Sequence, residues 1–336
     1  MGLQTPFCEL MGIHLPIVGA GAGSIASAEL AGAVTNAGGL GMTGAAGDPA
    51  EAIVARIRAI RGLTNGPTGV NVILQILPPE TIEAILTEGV EVLATGFGDP
   101  EPWVAPAHAA GAKVFHRCET AAEAEAAVRA GVDVVIAQGS DSGGHTGTVP
   151  TFALVPQVVD AAGGVPVLAA GGIADGRGLV AAIALGAGGV LLGTCLVASQ
   201  ESGAHPAYKR RIVEARAEDS VVTDVFEIGW PGLPERALRN ATIDAWESEQ
   251  EPRTRPSERP VEIIGTRPLP GHDLEIPRWW VDTPHAGDLG AVEDMALYAG
   301  PAAGLVREVL PAAEIVRRIA AEADEALERM RAHAAR

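Results

Sequence analysis

Short apolar runs alternate with alanine-rich segments of helical spacing eight times between residues 17 and 193, and few architectures accommodate that pattern. The runs fall at 17–21, 40–43, 69–73, 90–95, 113–116, 132–138, 165–170 and 189–193. Each is too short for a helix, and most carry no polar alternation, so they predict strands buried on both faces, as in parallel sheets covered by helices. The segments between them predict helices near 27–37, 49–63, 79–88, 102–110, 120–130, 152–162 and 177–185. Ser24 or Ser27 can cap the first, and Thr120 with Glu123 forms a capping-box pattern. Eight βα units in about 200 residues match an α/β fold of the (β/α)8 TIM-barrel type. A doubly wound open sheet is the alternative.

The pattern changes after Ser202. Residues 205–216 look helical and basic, 247–270 are rich in Pro, Arg and Glu, and helical spacing returns at Ile315, Ile319, Ala323 and Leu327. The expected organisation is a barrel from 1–204 and 291–336, with an inserted, mostly helical or irregular second domain at 205–290 after strand 8. Such an insertion beside a barrel mouth is expected to cover it and set substrate choice. Trp230, Trp279 and Trp280 could supply its apolar wall, or could merely hold the insertion together.

Composition narrows the partners. Lys and Arg number 24 against 42 Asp and Glu, a formal net charge of −18. Such a surface repels phosphate backbones and anionic lipid, which argues against nucleic acid or membrane partners. Residues 179–198 are uncharged for the length of a bilayer span. Gly186, Gly188, Gly189 and Gly193 interrupt them, so a helix–strand pair is the expected reading. The start of the chain shows no basic and apolar leader, and Cys8, Cys118 and Cys195 show no CxxC spacing. A reducing, cytoplasmic setting without a metal cluster follows as the expectation.

In a parallel barrel the chemistry collects at the C-terminal strand ends. The sixth run ends at Gln138, and after it come Gly139, Ser140, Asp141, Ser142, Gly143, Gly144, His145, Thr146 and Gly147. The glycines permit close backbone approach, and His145 is the strong acid–base candidate among them. The alternative is an incidental histidine in a surface loop. Gly171 and Gly172 after the seventh run, with Gly193 and Thr194 after the eighth, have the small residues and positions of a phosphate cradle. Those glycines could equally serve tight turns alone. Gly19, Ala20 and Gly21 end the first strand. Asn71 and Gln138 are amides that could bond a flat polar ring or satisfy neighbouring backbone. His116 competes with His145, although Arg117 beside it suggests anion contact.

Taken together, 30–41, Gly69-Val70-Asn71, Ser142-Gly143-Gly144-His145-Thr146-Gly147, 169–176 and Gly193-Thr194 resemble the nitronate monooxygenase family. That family, formerly the 2-nitropropane dioxygenases, also includes flavin-dependent enoyl-ACP reductases and NADH:quinone reductases. The resemblance extends from about residue 6 to 203, then through His205-Pro206 to Tyr298-Ala299-Gly300. It implies an FMN-dependent oxidoreductase with His145 as the catalytic residue. FMN phosphate would sit on Gly171, Gly172, Gly193 and Thr194, and Asn71 and Gln138 would lie near the ring, with Gly19, Ala20, Gly21, Gly143 and Gly144 also lining the cofactor. The implied reaction is oxidation of an alkyl nitronate by O2. The alternatives are NAD(P)H-dependent reduction of quinones or enoyl thioesters, and a flavin-binding protein without turnover. Oligomeric state stays open. Family members often carry Gln and Met where this chain has Gly19 and Ala22, and Gln where it has Pro301; both departures lie near the expected pocket.

Overall fold

Every one of the eight apolar runs forms a strand in the computed structural model, which describes residues 3–250 and 253–334. They are β1 (Ile17–Gly19), β2 (Gly41–Gly44), β3 (Thr68–Ile73), β4 (Val92–Gly96), β5 (Lys113–Cys118), β6 (Val134–Gln138), β7 (Val167–Ala170) and β8 (Gly189–Leu192). Their edges differ from the sequence expectation by one or two residues, where strands pass into turns. All pair in parallel, in the row β1–β8–β7–β6–β5–β4–β3–β2. A parallel bridge from Val18 to Leu40 joins the ends of that row. There Gly19 N–H donates to Leu40 O at 2.8 Å and Leu40 N–H donates to Ile17 O at 2.9 Å. The sheet therefore closes on itself, and the fold is a (β/α)8 barrel.

Alternation along each strand sorts the core into two shells. Val18, Met42, Val92, Ala94, Phe115, Val134, Ile136, Leu168 and Ala170 fill the interior. The helix Pro6–Met11 plugs the bottom, with Phe7 set edge-on to Phe115 at 5.9 Å between centroids. The out-of-phase residues, such as Ile17, Val70, Leu93, Val114 and Val135, pack against the outer helices. This phase decides which polar side chains reach the mouth. Val70 and Val72 point outward, so Asn71 between them points inward; the same count turns Arg117 and Gln138 inward.

The uncharged stretch 179–198 is divided among the helix Gly176–Ala184, β8 and the short helix Thr194–Val197. Among the described residues no helix is long and apolar enough to cross a membrane. The helix Ala312–Ala334 returns to cover the barrel wall, burying Ile315, Val316, Ile319 and Ala323 on one face. It approaches Gly176 so closely that a Cβ there would lie 2.1 Å from Ala323 N.

Residues 205–290 carry more strand than their sequence suggests. Ser220–Thr223 pairs antiparallel with Glu235–Leu238, and a hairpin of Ile263–Leu269 and His272–Pro277 adds the short strand Leu289–Gly290. Several of these strands are only two to four residues long, and the hairpin strands are interrupted by Gly265, Pro268 and charged residues, so no period of two stands out. The helix Pro206–Glu214 buries Tyr208 and Ile212 in the barrel's own apolar cluster, and Leu238 joins them. Arg267 ties the hairpin to Asp288 at 2.8 Å and Asp282 at 2.6 Å, while His285 Nε2 lies 3.1 Å from Ser24 Oγ beyond β1.

Candidate active site

The loop after β6 is shaped by contacts within the chain. A Cβ at Gly139 would lie 2.4 Å from Thr151 Cα, and one at Gly143 would lie 2.8 Å from Ala299 Cα. A Cβ at Gly300 would lie 2.2 Å from Asp141 O. These glycines let the loop lie flat under the returning 298–300 segment. Gly144, at φ +79°, turns the chain into a two-residue strand, Gly144–His145, which pairs with Arg236 and Glu235 of Glu235–Leu238. Gln138 Nε2 donates to His145 O at 2.8 Å, and Arg117 Nη2 donates to the same oxygen at 3.4 Å. His145 is thus fixed by its backbone at the barrel mouth, not carried on a free loop.

Its ring lies in an aromatic box. Trp230 is 4.3 Å away between centroids, Phe97 6.0 Å and Tyr298 6.2 Å. Phe97 is the one non-glycine residue with positive φ among those described, at +55°, a conformation that costs on the order of 1 kcal/mol or more. That turn brings its ring under the Arg117 guanidinium, 3.9 Å from the centroid. No hydrogen bond of good geometry reaches either nitrogen of His145 from the chain, although the Pro234 carbonyl lies close enough to act on the ring. Burial, and then the positive charge of Arg117, push its pKa down to about 4, with the Pro234 carbonyl pulling weakly the other way. The imidazole is neutral at pH 7.

Glu235 stands behind it, its Oε2 3.7 Å from His145 Nδ1. Burial raises this carboxyl to about 8; the Phe226 N–H, which donates to Oε1 at 2.8 Å, opposes that rise, and Asp224 and Glu227 add to it. His116 shares the cavity side of the mouth. Thr95 Oγ1 donates to Phe115 O at 3.0 Å and so accepts from His116 Nδ1, 2.8 Å away. Burial and Arg117 push His116 to about 4 as well. Phe97, His116, Arg117, Glu119, His145 and Pro234 enclose much of a cavity of about 420 Å³. Arg117 is paired there with Glu119.

The ends of β7 and β8 meet beside this loop. Gly171, at φ +108°, has no room for a side chain, because a Cβ would lie 2.7 Å from both Ser142 Oγ and Thr151 Oγ1. Gly172 has φ +72° and faces Asp141 at 3.3 Å. Gly193 is different: the nearest atom to a Cβ there is Ala20 Cβ at 4.0 Å. Ser142 Oγ is buried without a partner. Open space at Gly193 and an unsatisfied hydroxyl at Ser142 fit an anionic group such as a phosphate. Thr194 Oγ1 accepts from Gly300 N–H at 3.1 Å and keeps its own proton to donate. The start of the helix Gly176–Ala184 is already met by carboxylates: Gly178 N–H donates to Asp175 and Gly176 N–H to Glu322, both at 3.0 Å.

The first-strand loop is tightly packed within the chain. A Cβ at Gly21 would lie 2.6 Å from both Asn71 Cβ and Thr43 O, and Gly19 faces Leu196 and Val34 on the helix side. Packing explains both glycines. Ala20 N–H donates to Leu192 O at 2.9 Å. Asn71 Nδ2 reaches Ala94 O only at 3.5 Å, so it is nearly free to bond elsewhere.

Comparison with known proteins decides the family. A sequence profile described as nitronate monooxygenase matches residues 4–79 and 77–322. The chain belongs to the nitronate monooxygenase family. It is an oxidoreductase of that family, whose members are in general flavoproteins. It is 38% identical over 251 residues to (3aS,4S,5R,7aS)-5-hydroxy-7a-methyl-1-oxo-octahydro-1H-indene-4-carboxyl-CoA dehydrogenase of Mycobacterium tuberculosis, covering 74% of this chain and 70% of that protein. It is 34% identical over 291 residues to a probable nitronate monooxygenase of Staphylococcus saprophyticus, covering 72% and 81%. The solved structure of FabK from Thermotoga maritima superposes with a TM-score of 0.82 at 34% identity, over 98% of this chain and 99% of that one.

Against this family background, three participants were not legible in the sequence. Glu235 lies 90 positions after His145 in a short strand of mixed character, and only strand pairing brings it close. Phe97 follows Gly96 in a turn with no motif, and Ser142 was one small residue among several. Of the three tryptophans, Trp230 alone is in ring contact with His145. Trp279 packs in the cluster of Phe226 and Trp246, and Trp280 in that of Ile276 and Met295.

Proposed function

We propose that this member of the nitronate monooxygenase family binds FMN and oxidises alkyl nitronates with O2. The observation that carries this reading is the buried, neutral imidazole of His145, with neither nitrogen in a hydrogen bond of good geometry and the Arg117 guanidinium lining the same cavity. A nitronate is already a stabilised anion, so its oxidation needs no strong base. It needs an N–H donor and nearby positive charge to hold the nitro oxygens, in a pocket that excludes water. His145 and Arg117 would supply these. The phosphate would rest on Gly171, Gly172, Gly193 and Thr194 with the Ser142 hydroxyl, and Asn71 and Gln138 would edge the ring, near Ala20 and Gly144. Bound FMN supplies the two-electron oxidation and the reaction with O2.

A second reading, dehydrogenation of a CoA thioester, is favoured by the activity for which the Mycobacterium tuberculosis relative is named. Removing a proton from carbon beside a thioester requires a base stronger than an imidazole held near pH 4. Reduction of quinones or enoyl thioesters by NAD(P)H uses the same cofactor and is separated from both by its electron donor.

Purified protein should be yellow and release one FMN per chain on heating; FAD, or no flavin after reconstitution, contradicts the assignment. His145→Ala should keep its flavin and lose roughly two to four orders of magnitude in kcat/KM with a nitronate. Turnover at the wild-type rate in that variant would return His145 to an incidental role.

A further inference from the structure

We propose that Glu235 is the positioning residue for His145, holding the imidazole as its Nε2–H tautomer so that it offers the substrate a hydrogen bond and not a lone pair. This rests on the role of His145 proposed above. The two residues are register partners between Gly144–His145 and Glu235–Leu238, so backbone pairing sets their separation. Glu235 Oε1 accepts from Phe226 N–H at 2.8 Å. Its Oε2 is buried without a hydrogen-bond partner, as is each nitrogen of His145, and Oε2 stands 3.7 Å from Nδ1. Buried polar atoms left unpaired are costly, and a small closure of this gap joins two of them.

Two proton arrangements satisfy the contact. An ionised carboxylate requires Nδ1–H and leaves Nε2 as a lone pair. A protonated carboxyl donates Oε2–H to Nδ1 and leaves the ring proton on Nε2. The surroundings select the second. Asp224 and Glu227 place negative potential near Glu235, although Arg255 and Ser257 hold Glu227. Arg117 faces His145 and disfavours an imidazolium, against a smaller opposing pull from the Pro234 carbonyl. Arg236, the next residue along, donates to Ser140 O and Ser220 O, and the Tyr298 hydroxyl donates to Val281 O. Burial completes the effect: the carboxyl keeps its proton up to about pH 8, and the ring stays neutral down to about pH 4.

The test is the tautomer itself, read by long-range proton–nitrogen NMR on protein labelled with 15N-histidine, with His145 assigned from the signals lost in His145→Ala. Near neutral pH, Nδ1 should be unprotonated and Nε2 protonated, reversing as pH passes about 8. Glu235→Gln keeps Oε1 for Phe226 and can meet Nδ1 only with an amide N–H. It should hold the Nε2–H tautomer above that pH, retain most of its turnover of preformed nitronate near pH 7, and lose the alkaline fall in kcat expected of the wild type. Glu235→Ala should lower kcat roughly tenfold or more, with KM less affected. An Nδ1–H tautomer at neutral pH, or the same alkaline profile in wild type and Glu235→Gln, overturns the proposal and leaves the role of His145 standing. Wild-type turnover in His145→Ala removes that role and the proposal with it.

Discussion

His116, His145 and Glu235 are buried at one mouth, and the direction of each pKa shift fixes how stability responds to pH. Both imidazoles titrate near 4 when folded, against an ordinary 6.5. Below about pH 6.5 the unfolded chain takes up protons that the folded chain refuses, so stability falls as pH drops toward 4. Glu235 titrates near 8 when folded, against 4.5. From pH 4.5 upward the unfolded chain has lost a proton that the folded chain keeps, so its contribution is complete below pH 4.5 and is lost as pH rises to about 8. Each group acts with a limiting slope of about 1.4 kcal/mol per pH unit. In denaturant titrations the stability of Glu235→Gln relative to wild type should therefore grow between pH 6 and 8. A difference independent of pH would mean that the carboxyl is ionised in the folded protein.

At the scale of elements, the loops after β6, β7 and β8 act as one unit, and their glycines divide into two kinds. Gly143, Gly171 and Gly300 are demanded by neighbouring chain, whereas Gly193 borders open space. Gly171→Val should therefore lower the melting temperature steeply. Gly193→Val, and Ser142→Ala at the unpaired hydroxyl, should fold normally and bind FMN more weakly, as equilibrium dialysis would measure. Equal flavin affinity in both would move the phosphate elsewhere. The barrel and the Gly-Gly-His loop were legible in the sequence because buried parallel strands and glycine-rich turns are local signals. The Glu235 partnership was not, because it depends on two strands of two and four residues pairing across a long loop. Gly19 and Gly21, expected beside the cofactor, also let helix and strand pack closely, a demand that sequence spacing does not carry.

Over the whole molecule, residues 205–290 contribute to the mouth through Trp230 and Glu235, while the Trp279 and Trp280 clusters and the Arg267–Asp288 pair brace the rest. Trp230→Ala should shift the preference among nitronates of increasing chain length, at little cost to the barrel. Trp279→Ala, at a half-buried ring, should lower stability by about 1–2 kcal/mol, less than truncation of a fully buried aromatic, and leave the preference alone. If neither variant alters chain-length preference, substrate choice lies in the barrel loops. The proposed reaction meets its most direct test in anaerobic rapid mixing of the purified, FMN-reconstituted protein with propyl nitronate, an acyl-CoA, NADH and NADPH in turn, following flavin absorbance near 450 nm. The nitronate should bleach the flavin within turnover time, and O2 should restore the colour. Bleaching by the acyl-CoA or a nicotinamide, with none by the nitronate, would contradict it.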